Sequence, residues 1–279
     1  MPDGGLAAPA GDFDLLVRAT RAAGALAMKY FDAGDVRAWD KSPGNPVSEA
    51  DLAVDACLRD ELLDRRPGYG WLSEETADDP SRLDCRYVWV VDPIDGTRDF
   101  LRGRTGWAVS VALIDDGEAV LGCLAAPARG QLFVASRGGG AYRDGVRIGV
   151  SGRTALAGCA MPIDLAGLTA GFWPEPWDAV PVEKPNSLAL RIAKVASGEA
   201  DAFIEGRTIS EWDVAAAALI LAEAGGIVTD RDGAALSFNQ PDPAVHGLAA
   251  ATPALHAEVR RRLDAGLHAL KARRSGREG

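Results

Sequence analysis

The chain has 279 residues, of which 47% are hydrophobic and 25% charged, so it can bury a full core as one large domain or two ordinary ones. No apolar run reaches the roughly 18 residues of a membrane span, and residues 1–14 lack the basic start and apolar middle of a signal peptide, so we expect no membrane partner. A net charge of −10 disfavours a nucleic-acid polymer as partner, because such binding relies on Lys and Arg.

Helices are predicted at the start of the chain. Residues 13–31 and 48–66 repeat apolar residues at a helical period, and residues 1–14 are interpreted as a frayed leader. Ser48 is predicted to cap the second helix, with Asp51 as a shorter stand-in for the usual Glu of a capping box. Between the helices, the Pro- and Gly-rich residues 39–48 predict a mobile loop.

Strands follow the second helix. Residues 70–76 predict a short strand that ends in two acids, and residues 88–92 predict a buried strand that stops at Pro93, because proline cannot extend a central ladder. Residues 106–145 alternate apolar runs with Gly-containing turns, which predicts an antiparallel meander. The first half is therefore expected to be two helices and an antiparallel sheet.

The second half of the chain alternates helices with strands, which is typical of an α/β arrangement. We place the boundary near residue 150, with an α+β domain over residues 1–150 and an α/β domain over residues 151–279. The predicted elements of the second half are helices over 187–197 and 213–224 and strands over 202–205, 227–229 and 248–251.

The cysteines and histidines limit the kinds of site that this chain can form. The four cysteines, Cys57, Cys85, Cys123 and Cys159, show no CxxC pairing and sit among apolar neighbours, so we expect reduced thiols and a cytoplasmic protein. The three histidines all lie beyond position 245, which disfavours a zinc site rich in His or a catalytic His.

The string DPIDGT, residues 92–97, is the most specific chemical feature. Asp92 and Asp95 can point to one side of the turn that ends the strand, where Ile94 presents its carbonyl. Hard divalent cations take carboxylate and carbonyl oxygens, so these groups suit Mg²⁺. Gly96 and Thr97 offer backbone N–H groups to an anion. The alternative for the two acids alone is a polar turn at a strand end.

Two further acidic positions stand at element ends. Glu74 and Glu75 close the predicted strand of residues 70–76, and each alone reads as part of a solvated loop. Asp213 opens an apolar helix, where an acid is also favoured as a cap. These carboxylates could be ligands of a bound metal ion, and the charge of that ion would neutralise an anionic ligand locally.

Together, the strings LSEE, WVVDPIDGTRDF and EWDVAAA resemble, in order and spacing, the signature motifs of the inositol monophosphatase superfamily. The resemblance covers nearly the whole chain. It implies the inositol monophosphatase-like sugar phosphatase fold, a layered sandwich of alternating α-β-α-β-α layers that mixes α+β and α/β parts. It also implies a lithium-sensitive, Mg²⁺-dependent phosphatase, commonly a homodimer.

The resemblance also implies a set of metal ligands with two or three ions, for which Mn²⁺ can substitute. The first ion would be held by Glu74, Asp92 and the carbonyl of Ile94, the second by Asp92, Asp95 and Asp213, and a third, weaker ion by Asp51. Because two metals can screen a phosphate dianion and activate water, we hypothesise direct hydrolysis without a covalent intermediate, in which Glu74 and Thr97 orient and deprotonate the water. Asp95→Asn is then predicted to abolish turnover and leave the fold intact.

Substrate contacts are implied in the same way. Gly96 and Thr97 fall where the family binds phosphate, and Lys41 lies in the loop where the family often carries a Lys. Ser187, Glu205 and Arg207 would contact the alcohol part of the substrate. Glu205 would bind sugar hydroxyls, or Arg207 would bind a second phosphate. A solvated loop arginine is the alternative for Arg207.

The substrate is therefore predicted to be an inositol or polyol monophosphate or 3′-phosphoadenosine 5′-phosphate of the bisphosphate nucleotidase type. Histidinol phosphate and fructose 1,6-bisphosphate are alternatives within the enzyme class. A non-catalytic metal- or phosphate-binding regulatory protein is the alternative from another class, and the intact set of acids argues against it.

Overall fold

The computed structural model describes residues 8–275, with side chains for residues 8–273, so residues 1–7 of the predicted leader lie outside the described residues. Within them, no helix is both long and apolar enough to cross a membrane. The helices are α1 (Asp12–Ala33), α2 (Glu49–Leu63), α3 (Thr97–Leu101), α4 (Leu165–Leu168), α5 (Leu188–Ala196), α6 (Ala215–Glu223) and α7 (Pro253–Ser275). The strands are β1 (Ala38–Ser42), β2 (Asn45–Ser48), β3 (Gly70–Ser73), β4 (Tyr87–Asp95), β5 (Ala108–Asp115), β6 (Glu118–Ala126), β7 (Gln131–Ser136), β8 (Gly140–Arg143), β9 (Val146–Arg147), β10 (Ala160–Met161), β11 (Val180–Pro181), β12 (Ala202–Ser210), β13 (Ile227–Asp230) and β14 (Ala244–Ala251).

A seven-stranded sheet forms the centre of the first half. Its order is β3-β4-β5-β6-β7-β8-β9, with β3 parallel to β4 and every later pair antiparallel, which confirms the predicted meander. Successive residues of β4 point to opposite faces: Val90 joins one apolar cluster, while Trp89 and Val91 join another. Both faces of the sheet are therefore covered, and all residues of β5 are buried.

Helices cover the two faces. The helices α1 and α2 pack on one face through Leu16 and Leu58, and α5 and α6 pack on the other through Ile192 and Leu219. Because α5 and α6 come from the second half of the chain, the two predicted domains share one apolar cluster. The division of the chain at residue 150 stays a prediction.

A second, three-stranded sheet lies beyond α5 and α6. Its order is β12-β14-β13, and both outer strands run antiparallel to β14. Leu248 and Ala250 of β14 face the cluster shared with α5 and α6, whereas Ala249 faces α7 through Leu255 and Val259. The layers therefore alternate α-β-α-β-α, and the predicted layered sandwich is confirmed.

The segment over residues 39–48, predicted as a loop, instead forms most of the antiparallel hairpin of β1 and β2. All five residues of β1 are exposed, so no periodic burial marks this hairpin in the sequence. The capping box predicted for α2 is confirmed: the Ser48 side chain accepts from the backbone of α2, and the Asp51 side chain accepts from the Ser48 N–H.

The strand β4 does not stop at Pro93, as predicted, but continues to Asp95. Its pairing with β5 is irregular between Asp92 and Asp95, and a proline is tolerated at such a bulge because no ladder hydrogen bond is required from its nitrogen. The predicted thiols are confirmed, since Cys57, Cys85, Cys123 and Cys159 are all free.

Candidate active site

The parallel pairing of β3 with β4 places two predicted ligands at one edge of the sheet. Ser73 pairs with Val91, and the N–H of Glu74 donates to the carbonyl of Val91 at 3.2 Å. The next residue on each strand, Glu74 and Asp92, therefore emerges at the same edge. Both line a cleft of about 540 Å³.

Three carboxylates meet in this cleft. Asp92, Asp95 and Asp213 each offer an oxygen, and the three oxygens lie within 4.8 Å of one another. Asp213 comes from a short 3₁₀ turn just before α6, and its Oδ2 accepts a hydrogen bond from the N–H of Ser210 at 2.8 Å. The second half of the chain thus completes an acidic cluster that the first half begins.

The charges of this cluster oppose one another. Burial and then the neighbouring carboxylates raise the pKa of Asp92 well above its usual range, and burial and Asp95 raise the pKa of Asp213 to about 8. A cation bound among the three would relieve this repulsion, and carboxylate and carbonyl oxygens are the ligands of Mg²⁺. The donor set therefore fits the predicted metal.

Asp95 is held by the start of α5. Its Oδ2 accepts hydrogen bonds from Ser187 Oγ at 2.5 Å and from Ala189 N at 2.8 Å, and its Oδ1 accepts one from Leu188 N at 3.0 Å. Burial raises the pKa of Asp95 to about 6, against the effect of these hydrogen bonds. Ser187, predicted as a substrate contact, is fully buried beneath Asp95 and does not line the cleft.

The turn from β4 to α3 requires a glycine at position 96. Gly96 has a φ of 98°, and a Cβ there would lie 2.8 Å from both the Gly106 carbonyl and the Ser187 nitrogen. Thr97 follows, and its Oγ1 lies 3.1 Å from Asp51 Oδ1 and 3.0 Å from the Ile94 carbonyl oxygen. This geometry places Gly96 and Thr97 on the wall of the cleft.

Asp51, predicted as a ligand of a third ion, is buried behind Thr97. Its Oδ2 accepts from Ser48 N at 2.9 Å and from Ser48 Oγ at 2.5 Å, and its Oδ1 accepts from Thr97. Burial raises its pKa. The side chain therefore already has protein partners on both oxygens and does not line the cleft.

Lys41 reaches the cleft from the hairpin of β1 and β2. Its Nζ lies 2.8 Å from Glu74 Oε1 and 2.9 Å from Glu75 Oε1. Burial raises the pKa of Glu75 to about 7, although the hydrogen bond from Lys41 lowers it. The hairpin thus supplies a positive charge beside a predicted metal ligand.

Glu205 and Arg207, predicted on the alcohol side, bind each other. Arg207 donates to both carboxylate oxygens of Glu205, from Nε at 3.0 Å and from Nη2 at 2.8 Å. The pairing of β12 with β14 is irregular between Glu205 and Thr208, which turns Arg207 outwards. Arg207 lines the cleft and also a neighbouring cavity of about 900 Å³, whereas Glu205 lines only the neighbouring cavity.

Arg191 was not predicted from the sequence, but it lines both the cleft and the neighbouring cavity. It lies in α5, where every other residue that faces inward is apolar, and its side chain is 7% exposed. A single arginine inside the apolar run LALRIAKVA was the available signal. Buried arginines are uncommon unless paired, which marks this position for function.

Comparisons with known proteins show which proteins this chain is similar to. The model of the inositol monophosphatase family matches residues 13–268. Inositol-1-monophosphatase of Mesorhizobium japonicum is 38% identical over 229 residues, which cover 79% of this chain and 85% of that protein. Histidinol-phosphatase of Mycobacterium tuberculosis is 36% identical over 251 residues, which cover 85% and 91%. The crystal structure of extragenic suppressor protein suhB from Bartonella henselae shows a TM-score of 0.80 at 30% identity and covers 91% of this chain and 98% of that chain.

Proposed function

This chain belongs to the inositol monophosphatase family, and on that basis we propose that it releases phosphate from a small monoester with the help of Mg²⁺. The family predicted from the motif strings is confirmed, and the chain is a phosphoric monoester hydrolase. The observation that carries the proposal of metal dependence is the cluster of Asp92, Asp95 and Asp213, whose oxygens lie within 4.8 Å in a cleft.

We assign the metal ligands to Glu74, Asp92, Asp95 and Asp213 with the carbonyl of Ile94, all of which line the cleft. Magnesium bound by these groups would screen the charge of a phosphate dianion and lower the pKa of water. A third ion bound by Asp51 would compete with the hydrogen bonds that its oxygens accept from Ser48 and Thr97.

The protein's own groups position the attacking water and the phosphate. Thr97 can donate its single hydroxyl proton to Asp51, which leaves the Oγ1 lone pairs free to accept a hydrogen bond from water. Glu74 is the carboxylate we assign to take the proton. The backbone N–H groups of Gly96 and Thr97 are assigned to the phosphate oxygens, and Lys41 adds a positive charge nearby.

For the alcohol, we propose an inositol or polyol monophosphate or 3′-phosphoadenosine 5′-phosphate. Support for a polyol comes from the relative named inositol-1-monophosphatase, and the relative named histidinol-phosphatase supports histidinol phosphate as a second candidate. Support for the nucleotide comes from Arg207, which lines the cleft and carries a positive charge.

The test is phosphate release from these esters in Mg²⁺, in Mn²⁺ and in EDTA, with Asp213→Asn as the variant. Loss of a group that only orients a metal ligand typically costs about 10- to 100-fold in activity, so loss of a ligand itself is expected to cost at least about 100-fold. Asp60→Asn, an exposed change on α2, is the matched control and should behave like the wild type.

A thermal-shift measurement accompanies the kinetics. Magnesium should raise the melting temperature of the wild type and of Asp60→Asn, because a ligand that binds only the folded state stabilises it. Asp213→Asn should lose this shift. Phosphate release in EDTA at the rate seen in Mg²⁺, or full activity of Asp213→Asn, would refute the proposal.

A further inference from the structure

Arg191 lies one helical turn after the residues of α5 that hold Asp95. Its side chain folds back towards the start of the helix, as long side chains on helices do. Its Nε donates to the Pro185 carbonyl at 2.7 Å, and its Nη2 donates to the Asn186 carbonyl at 2.9 Å. The guanidinium is thereby fixed beside the catalytic cleft by main-chain atoms rather than by a counter-ion.

The positive charge of Arg191 has no ion-pair partner among the described residues. Two of the five N–H donors of its guanidinium are used by the two carbonyls. The nearby acids that act on it are Asp95, Glu205 and, most weakly, Asp164. Each has another partner: Asp95 accepts three hydrogen bonds from the start of α5, Glu205 is held by Arg207, and Asp164 pairs with Lys184. The guanidinium lies over the Phe203 ring, 5.7 Å from its centroid, but a ring does not neutralise the charge. A buried cation that no anion neutralises is costly, so an anion is its natural partner.

Arg207 and Glu205 are charged groups next to Arg191. Burial opposes the ionisation of Glu205, but hydrogen bonds from Arg207 and the charges of Arg207 and Arg191 hold the pKa of Glu205 below its usual range. Two guanidinium groups thus face one carboxylate, which leaves a net charge of about +1 at this point. Arg191, Arg207 and Asn186 each line both the catalytic cleft and the neighbouring cavity, so this charge lies at the junction of the two.

We propose that the alcohol part of the substrate carries a second phosphate, which Arg191 and Arg207 bind at this junction. The proposal rests on the proposed function and narrows it to bisphosphorylated substrates. Arginine is suited to this role because its planar fork of N–H groups matches phosphate oxygens. Water adds across the ester next to the acidic cluster, and the products are inorganic phosphate and an alcohol that keeps its second phosphate.

The test compares two substrates that share the scissile ester and differ only in the second phosphate: 3′-phosphoadenosine 5′-phosphate and adenosine 3′-phosphate. Charge-assisted hydrogen bonds predict that the wild type prefers the bisphosphate by about 10- to 100-fold in kcat/KM. In Arg191→Gln, the ratio of the two kcat/KM values should fall towards one. Lys194→Gln removes an equal charge from the same helix outside both cavities and should keep the wild-type ratio.

A second variant moves the ratio in the opposite direction and leaves Arg191 in place. Glu205→Gln removes the carboxylate that Arg207 binds, so the preference for the bisphosphate should increase. This variant decides the question if Arg191→Gln does not fold. An equal kcat/KM for both esters in the wild type, or a preference that survives Arg191→Gln or does not rise in Glu205→Gln, would overturn the proposal.

A binding measurement separates this proposal from the proposed function. Calorimetric titration of the metal-free protein with adenosine 5′-phosphate and with adenosine needs no turnover. The phosphate should strengthen binding by about 10- to 100-fold in the wild type and in Lys194→Gln, but not in Arg191→Gln. If neither ester is hydrolysed in Mg²⁺, the proposed function fails, whereas equal binding of the two probes by the wild type overturns the second-phosphate site.

Discussion

Replacing Ser187 with alanine should loosen Asp95 and destabilise the protein. The Ser187 hydroxyl donates to Asp95 Oδ2 at 2.5 Å and accepts from the Leu190 N–H at 2.9 Å, where it caps α5. The sequence alone predicted this serine as a substrate contact. Its complete burial beneath Asp95 instead predicts a positioning role.

The magnitude follows from the two contacts that Ser187→Ala removes. An N-cap serine contributes about 0.5–2 kcal/mol relative to alanine. A hydrogen bond to a charged group contributes about 1.5–3 kcal/mol. We therefore expect a loss of about 2–5 kcal/mol in the free energy of unfolding. Because Asp95 is a predicted metal ligand, the stabilisation by Mg²⁺ and kcat should fall as well.

The assay is urea unfolding with and without Mg²⁺, together with kcat and KM. Ser187→Gly keeps a tolerable cap and loses only a few tenths of a kcal/mol from that contact, so it isolates the bond to Asp95. Ser197→Ala, at the other end of α5, is the matched control, because among the described residues its hydroxyl can donate its single proton to the Lys194 carbonyl or to Glu199 and does not contact Asp95. An unchanged unfolding free energy in Ser187→Ala, with a raised KM and an unchanged kcat, would refute the positioning role.

Three further changes test the structure. Asp95→Asn should lose turnover and also about 1–3 kcal/mol of stability, measured by urea unfolding in Mg²⁺, because an amide NH2 would face the N–H groups at the start of α5. Stability equal to that of the wild type would contradict this. Gly122→Ala should cost about 1–3 kcal/mol, because a Cβ would lie 2.8 Å from the Ala216 carbonyl oxygen of α6; a wild-type melting curve would argue against this close packing. The hydrogen bond from Arg129 lowers the pKa of Glu183 to about 2. The ionised Glu183 side chain therefore stabilises the folded state fully above the unfolded pKa of about 4.5, and this stabilisation is lost as the pH falls towards 2. For this exposed pair, Glu183→Gln should be about 0.5–1 kcal/mol less stable than the wild type at pH 7, with the difference vanishing near pH 2; a difference that is the same at both pH values would exclude the ion pair as its cause.

Much of this structure could be predicted from the sequence, because the interactions concerned are local. The helical periods of α1 and α2, the turns of the meander and the cap at Ser48 involve residues close in the chain, so their patterns are visible without a fold. The string of residues 92–97 also carries its chemistry locally, because a bulge, two acids and a glycine at positive φ lie within six residues.

The hairpin of β1 and β2 was missed for a physical reason. Its first strand is exposed at every position, so there is no buried face to leave an alternating pattern. The strands pair with each other, and Lys41 is anchored by Glu74 and Glu75, which follow β3. Contacts of this kind depend on residues distant in the chain and leave no local signal.

The alcohol side of the site was decided by tertiary structure. Asp213 lies beside Asp92 and Asp95 because α6 packs against the central sheet. Ser187 is buried because the start of α5 lies against Asp95. The residue types alone showed that carboxylates suited to a cation were present. Which charges remain unpaired, above all that of Arg191, depends on which donors and acceptors the folded chain brings together, because a charge is neutralised by its neighbours in space rather than by its neighbours in sequence.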